Sequence, residues 1–253
     1  MLEYPLVIHS VRKRIGNLLV LAGVEARLPR GKITAFIGPN GAGKTTLFQT
    51  ITGELRPDGG RIVFEGRNIT ALPSWEIASR GVGKVFQDVR VFPGLSVIDN
   101  VIAALQRPRH RTVWWGLLKA DDLQAQTQWR GEAESLLNMV GVDGNWDAPA
   151  RELSWGNQKL LAFARLVAGR HTLVLLDEPA AGVSPTMVER LQELIRRLVR
   201  ERGMTVALIE HDMEFVGDLA DTVYVLKEGT VFDHGRPKDV LERPETQQLF
   251  LGL

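Results

Sequence analysis

The chain contains no cysteine among its 253 residues. That excludes disulfides, thiolate metal sites and thiol nucleophiles, and it suits a protein of a reducing compartment. Net charge is also nearly missing. Against 30 Asp and Glu stand 31 Lys and Arg, so nothing draws the molecule as a whole to nucleic acid. No run approaches the ~18 apolar residues of a membrane span, and residues 18–24 fall far short of it. Residues 1–5 lack the basic and apolar regions of a signal peptide, so any membrane association is expected to come through a partner. Internal repeats, low-complexity segments and sustained heptads are absent too. A chain of this length buries a real core, as one large α/β domain or two small ones.

What is present follows a recognisable order. Ile33, Thr34, Ala35, Phe36 and Ile37 predict a short buried strand. Next come Gly38, Pro39, Asn40, Gly41, Ala42, Gly43, Lys44 and Thr45, which fit a phosphate-cradling loop without a gap: glycine, four residues, then Gly-Lys-Thr. Leu47, Phe48 and Ile51 then define a helix face. Strand, loop and helix in this order separate the motif from a glycine-rich turn with a chance lysine. Such a loop aims successive backbone N–H groups and a positive helix end at phosphate oxygens. Lys44 is expected to reach the β/γ-phosphates, and the Thr45 hydroxyl to ligate Mg²⁺.

A second motif ends another apolar run. Leu173, Val174, Leu175 and Leu176 predict a strand, and Asp177, Glu178 and Pro179 follow at its carboxyl end, where open α/β sheets bind ligands. Asp177 suits Mg²⁺, directly or through water, since that ion takes few carboxylates beside water and phosphate oxygens. Glu178 suits the base that orients and polarises a water at the γ-phosphate. Taken alone, the pair also fits a strand ending in a solvated acidic turn. A third segment, Leu153, Ser154, Trp155, Gly156, Asn157, Gln158 and Lys159, precedes an apolar helix over residues 160–166. A hydroxyl and backbone donors at a helix entry leave two readings open, an ordinary N-cap and a second anion site.

The remaining pattern divides the chain. Residues 6–11 are apolar-rich, Val24, Ala26 and Leu28 alternate with Glu25 and Arg27, and a turn at residues 57–60 leads into a strand over 61–65. From about residue 88 to 168 the spacing is helical, with Val97, Val101 and Leu105, then Ala133, Leu136, Leu137 and Val140. Between these faces lies an irregular piece: Arg107, Pro108, Arg109, His110 and Arg111, then Trp114 and Trp115, then the polar residues 124–130. The basic part reads either as a contact with headgroups or a membrane subunit, or as a solvated loop with its tryptophans tucked in. Val188, Leu191, Leu194, Ile195 and Leu198 predict a helix, residues 205–209 a buried parallel strand, and residues 222–226 and 230–232 a hairpin around Gly229.

With these residues in hand, the chain resembles the ATP-binding subunit of an ABC transporter over essentially its whole length, residues 6–253. The resemblance implies an α/β fold, a P-loop NTPase (RecA-like) mixed-sheet core with an N-terminal antiparallel β subdomain and an inserted α-helical subdomain. Residues 1–87 and 169–233 would form the core with its β subdomain, residues 88–168 the helical subdomain, and residues 234–253 a C-terminal tail. ATP would be held by the loop from Gly38 to Thr45 with Thr46, and Mg²⁺ by Thr45, Asp177 and Gln87. Glu178, His211 and Gln87 would carry the hydrolysis, with His211 as the switch histidine at the γ-phosphate. Leu153, Ser154, Trp155, Gly156, Asn157 and Gln158 match the signature motif, which closes over ATP held by the opposite subunit.

The same resemblance implies partners and place. A second ATP-binding subunit, identical or paralogous, associates head to tail; two transmembrane permease subunits are driven; an extracytoplasmic solute-binding protein takes part indirectly; nucleic acid does not. The location is peripheral, on the cytoplasmic face of the inner membrane. Residues 86–97, Pro179 with Ala180, Ala181 and Gly182, Ile209 with Glu210, His211, Asp212 and Met213, and Leu249 to Gly252 look like the branched-chain amino-acid importer branch, with urea importers similar. A soluble ABC ATPase of repair or translation would bring a coiled coil or tandem units, and a phosphate-loop kinase would leave Ser154, Glu178 and His211 unexplained together. Three positions depart from the family pattern: Asn157 stands for a glutamine, Ser184 for Asp or Asn, and Ile15 with Gly16 where an aromatic stacks on adenine.

Overall fold

The computed structural model describes residues 2–85, 91–106 and 123–251. The chain forms two compact units, Met1–Gln87 with His171–Leu253, and Asp88–Arg170. In chain order the first unit opens with β1 (Leu6–Ile15), β2 (Leu18–Leu28), β3 (Ile33–Ile37), α1 (Lys44–Ile51), β4 (Gly59–Phe64), β5 (Arg67–Asn68), α2 (Ser74–Ser79) and β6 (Val82–Val85). The second unit contributes α3 (Val97–Leu105), α4 (Leu123–Val140), a 3₁₀ turn at Ala150–Glu152 and α5 (Trp155–Ala168). The chain then returns with β7 (Leu173–Asp177), α6 (Pro185–Arg202), β8 (Thr205–Ile209), α7 (Met213–Leu219), β9 (Thr222–Lys227), β10 (Thr230–Gly235), α8 (Pro237–Leu241) and α9 (Pro244–Leu251).

Among its described residues the first unit carries two sheets. One is antiparallel in the order β2-β1-β4-β5, and the other runs β10-β9-β3-β8-β7-β6. In the second sheet β9, β3, β8, β7 and β6 are parallel, and β10 closes the edge as a hairpin with β9. All five residues of β3, β7 and β8 are buried, which is why these segments read as unbroken apolar runs rather than alternating ones. β2 shows the other pattern: Val24, Ala26 and Leu28 face inward while Glu25 and Arg27 are exposed. Phe36 lies between Phe48 of α1 and Tyr224 of β9, with ring centroids 5.9 and 5.4 Å away. Register places the site: Phe36 and Asp177 both stand opposite Ile209, so the carboxyl ends of β3, β8 and β7 lie side by side.

The second unit is helical among its described residues. Val97 and Val101 of α3, Ala133, Leu137 and Val140 of α4, and Leu160, Leu161, Phe163 and Ala164 of α5 are buried. Asn100 is fully buried and holds the approach to α3, accepting from the Phe92 amide at 2.8 Å and donating to the carbonyls of Phe92 and Ser96. One expectation changes. Residues 124–130 continue the helix α4 rather than forming an irregular piece; they carry no apolar stripe, but Gln, Ala and Arg are adequate helix formers and the buried C-terminal half anchors them. In residues 234–253, β10 runs to Gly235 and two short helices follow, with Arg243 between them paired to Asp233 at 2.5 Å. The segment Arg107 to Trp115 lies outside the described residues.

Candidate functional site

The glycine loop leaves β3 under tight steric control. Gly38 has φ 148°, and a Cβ there would lie 2.2 Å from the Leu226 carbonyl of β9; Gly43 has φ 98°, and a Cβ would lie 2.8 Å from the Val20 carbonyl of β2. Both are positions where a side chain meets backbone, so glycine is demanded twice over. Gly229, in the β9–β10 turn, braces the loop from outside: its amide donates to Ala42 and its carbonyl accepts from Ala22, at 3.2 and 2.7 Å. α1 begins at Lys44 with no side-chain cap, which leaves its first-turn amides and the positive helix end facing the loop. Pro39 is half-buried, Asn40 and Gly41 are exposed at the loop crest, and Ala42 is buried beneath it.

Lys44 is buried, and its ammonium donates to the carbonyls of Gly38 at 2.7 Å and Pro39 at 3.0 Å. Burial pushes its pKa down, and the carboxylates of Glu178 and Asp177 pull it back up. Thr45 is exposed and Thr46 half-buried in the first turn of α1. Asp177, the last residue of β7, is only 6% exposed. Burial raises its pKa, opposed chiefly by the charge of Lys84 and then by Lys44. The charges of Glu178 and Glu54 act with burial to raise it.

Glu178 and His211 meet directly. His211 Nε2 lies 3.0 Å from Glu178 Oε1, and an ionised carboxylate requires the proton on Nε2. Glu178 has φ 50°, a left-handed conformation uncommon for a residue with a side chain, which turns it out of the β7 strand. The Glu178 amide donates to the Ile209 carbonyl at 3.0 Å, and the Ala181 amide donates to the Glu178 carbonyl at 3.1 Å. Asp212 caps α7 by accepting from the Glu214 and Phe215 amides. Ser184 precedes α6, and its hydroxyl pairs with that of Thr186 at 3.1 Å.

One residue of this cluster had no role assigned from sequence. Glu210 is 4% exposed, and its carboxylate accepts from the amides of Ala180 at 2.8 Å and His211 at 3.2 Å. Its signal was an acidic residue flush against the apolar run of β8, beside a histidine. Gln87 lies outside the described residues. Ile15 ends β1 opposite Leu18 and is 49% exposed, with Leu18 and Leu19 exposed beside it. Asp58 shapes that tip, accepting from the Arg14 amide and from Lys13 at 2.6 and 3.0 Å.

In the second unit, Ser154 is an N-cap in fact: its hydroxyl accepts from the Asn157 amide at 3.3 Å. Asn157 Oδ1 accepts from the Asp143 amide at 3.2 Å, and Gln158 donates to the Leu153 carbonyl at 3.1 Å. Trp155 is 46% exposed at the first helical position, and Gly156 follows it half-buried. The cap and the exposed helix entry coexist, so the two readings of this segment are not exclusive.

A glycine loop after β3, carboxylates after β7 and a histidine after β8, on neighbouring parallel strands, define a P-loop nucleoside triphosphatase. The family described as ABC transporter matches residues 21–181. The high-affinity branched-chain amino acid transport ATP-binding protein LivG of Salmonella typhimurium (strain LT2) is 36% identical over 248 residues, covering 98% of this chain and 97% of that protein. Its counterpart LivG of Escherichia coli (strain K12) is 35% identical over 253 residues, covering 99% of each. The crystal structure of a nucleotide-free ATP-binding cassette from an ABC transporter superposes with a TM-score of 0.84 at 28% identity, over 99% of this chain and all of that one. The chain belongs to the ABC transporter family, as one of its ATP-hydrolysing cassettes. Among the described residues no helix is long and apolar enough to cross a membrane.

Proposed function

We propose that the chain is the motor subunit of an importer of amino acids of the branched-chain type. It works at the cytoplasmic face of a membrane, against two permease subunits and in a head-to-tail pair with a second ATP-binding subunit. The full-length similarity to LivG supports the solute class. The observation that carries hydrolysis is the Glu178–His211 contact of 3.0 Å at the carboxyl ends of β7 and β8.

The residues fit Mg²⁺ and a triphosphate. The exposed Thr45 hydroxyl and the buried Asp177 carboxylate are hard oxygen donors of the kind the ion takes, and Gln87 joins them by family position. Bound there, the ion supplies neutralising charge to the phosphate oxygens. Lys44 exchanges the carbonyls of Gly38 and Pro39 for β/γ-phosphate oxygens, while the open amides of the loop and of Thr46 hold the remainder. Glu178 takes the proton of a water whose oxygen attacks the γ-phosphorus, and the β–γ bridging oxygen leaves with ADP. His211 holds Glu178 and the γ-phosphate in one frame. Ser154, Gly156 and the entry of α5 serve ATP bound to the partner subunit.

Glu178→Gln keeps shape and removes the base. Turnover should fall about 10²–10⁴-fold while ATP affinity stays within about twofold; unchanged turnover would refute the site. In a complex reconstituted with its permeases, branched-chain amino acids should stimulate ATP hydrolysis. Stimulation by urea alone would move the solute assignment and leave the ATPase in place.

A further inference from the structure

Glu210 stands where a charge is expensive and fills no obvious gap. It follows β8 directly, is 4% exposed, and divides its two oxygens between two loops. One oxygen accepts from Ala180, two residues beyond Glu178; the other accepts from the amide of His211. The Glu178 amide is meanwhile bonded to the Ile209 carbonyl. The loops after β7 and β8, which carry Glu178 and His211, are thus joined by a backbone bond from Glu178 to Ile209 and by the Glu210 carboxylate, which reaches across to Ala180 while also holding the His211 amide.

We infer that Glu210 is a positioning residue for hydrolysis, which fixes the Glu178–His211 pair by clamping the two loops that carry it; the inference rests on the assignment of that pair given above. Glu178 needs such a clamp. Its backbone sits at φ 50°, a conformation that a residue with a side chain keeps only where surrounding bonds over-determine it. A buried carboxylate is also a poor choice for filling space, since a neutral residue of similar volume avoids its desolvation. Burial raises the Glu210 pKa, and the two amides pull it back, as expected of a carboxylate held for its acceptors. Two oxygens accepting from two amides is a task that Gln, with one acceptor oxygen and a donor in place of the other, performs only by half.

The test compares Glu210→Gln and Glu210→Ala in the complex reconstituted with its permeases and second ATP-binding subunit, with steady-state ATP hydrolysis and equilibrium ATP binding. Misplacing reacting groups by about 1 Å lowers rates on the order of 10²-fold. Glu210→Ala should therefore lower kcat about 10–100-fold and Glu210→Gln about 3–10-fold, both with KM and ATP affinity within about threefold. In a His211→Ala background, Glu210→Gln should change single-turnover hydrolysis by less than about twofold, because residues acting through one pair are not additive. Should Glu210→Ala fail to fold, the isosteric Glu210→Gln decides alone. A kcat within twofold of the parent for Glu210→Gln overturns the role, as does an undiminished effect in the His211→Ala background. If Glu178→Gln is inactive while the Glu210 variants are silent, the clamp fails and the site stands. If Glu178→Gln hydrolyses normally, the site itself has failed.

Discussion

The three glycines of the phosphate loop differ in what a methyl group would meet, and this ranks their alanine variants. At Gly41 the φ is 81° and a Cβ has nothing within 4 Å, so Gly41→Ala brings backbone strain alone, about 1–3 kcal/mol. At Gly38 the Cβ would lie 2.2 Å from the Leu226 carbonyl oxygen, with the Leu226 carbon 3.2 Å away. That oxygen belongs to β9, which pairs with β3 through Ile37 and Val225, so it cannot rotate aside as a side chain would. Relief requires the loop or the strand to retreat by roughly 1 Å, an overpacking cost of about 1–3 kcal/mol added to the strain. Gly38→Ala should therefore lose about 2–6 kcal/mol, or roughly 5–20 °C in Tm for a chain of this size. Because the displaced loop carries the phosphate-facing amides, ATP affinity should fall at least about tenfold. Thermal unfolding without nucleotide and equilibrium ATP titration measure both quantities. Equal Tm and equal ATP affinity for Gly38→Ala and Gly41→Ala would refute the steric argument.

Three further outcomes are expected. Burial raises the Asp177 pKa, so its favourable contribution to folding is full below the ordinary carboxylate pKa of about 3.9 and is lost as pH rises through the folded value. Asp177→Asn should accordingly raise Tm at neutral pH in EDTA, with the gain shrinking toward pH 4, while hydrolysis is lost; a gain that grew on acidification would contradict the sign. Ser154→Ala removes the acceptor for the Asn157 amide and should cost about 1 kcal/mol of stability, read as a lower urea midpoint. Ile15→Tyr, at an exposed position, should tighten ATP binding by about 1 kcal/mol, roughly fivefold, through base stacking; unchanged affinity would show that adenine does not rest there.

Much of the first unit was legible because its central strands are buried on both faces. Unbroken runs such as Leu173 to Leu176 have few alternatives, and the phosphate loop is tied to its strand and helix by local sterics. Residues 124–130 were not legible as helix because Ala125 and Trp129 alone, in an otherwise polar run, set no period; the helix is anchored by Ala133, Leu137 and Val140 further along. The short helix α2, with only Ile77 buried, and the terminal helices α8 and α9 are set by tertiary docking rather than by local pattern. In the site, Lys44, Asp177, Glu178 and His211 announce themselves by motif. Glu210 did not, since its importance lies in two backbone amides, one of them thirty residues away, and pairing across strands is invisible along the chain.

The folded-back lysine changes how the arrival of nucleotide should be pictured. Lys44 is already stripped of most of its water and held by the carbonyls of Gly38 and Pro39. A triphosphate entering the loop does not recruit a waving cation from solvent. It takes over a charge whose rotamer freedom and hydration were surrendered when the chain folded, so less ordering remains to be met at the moment of binding. Folding and ligand capture are in that sense one transaction divided in time, with the entropic part settled first.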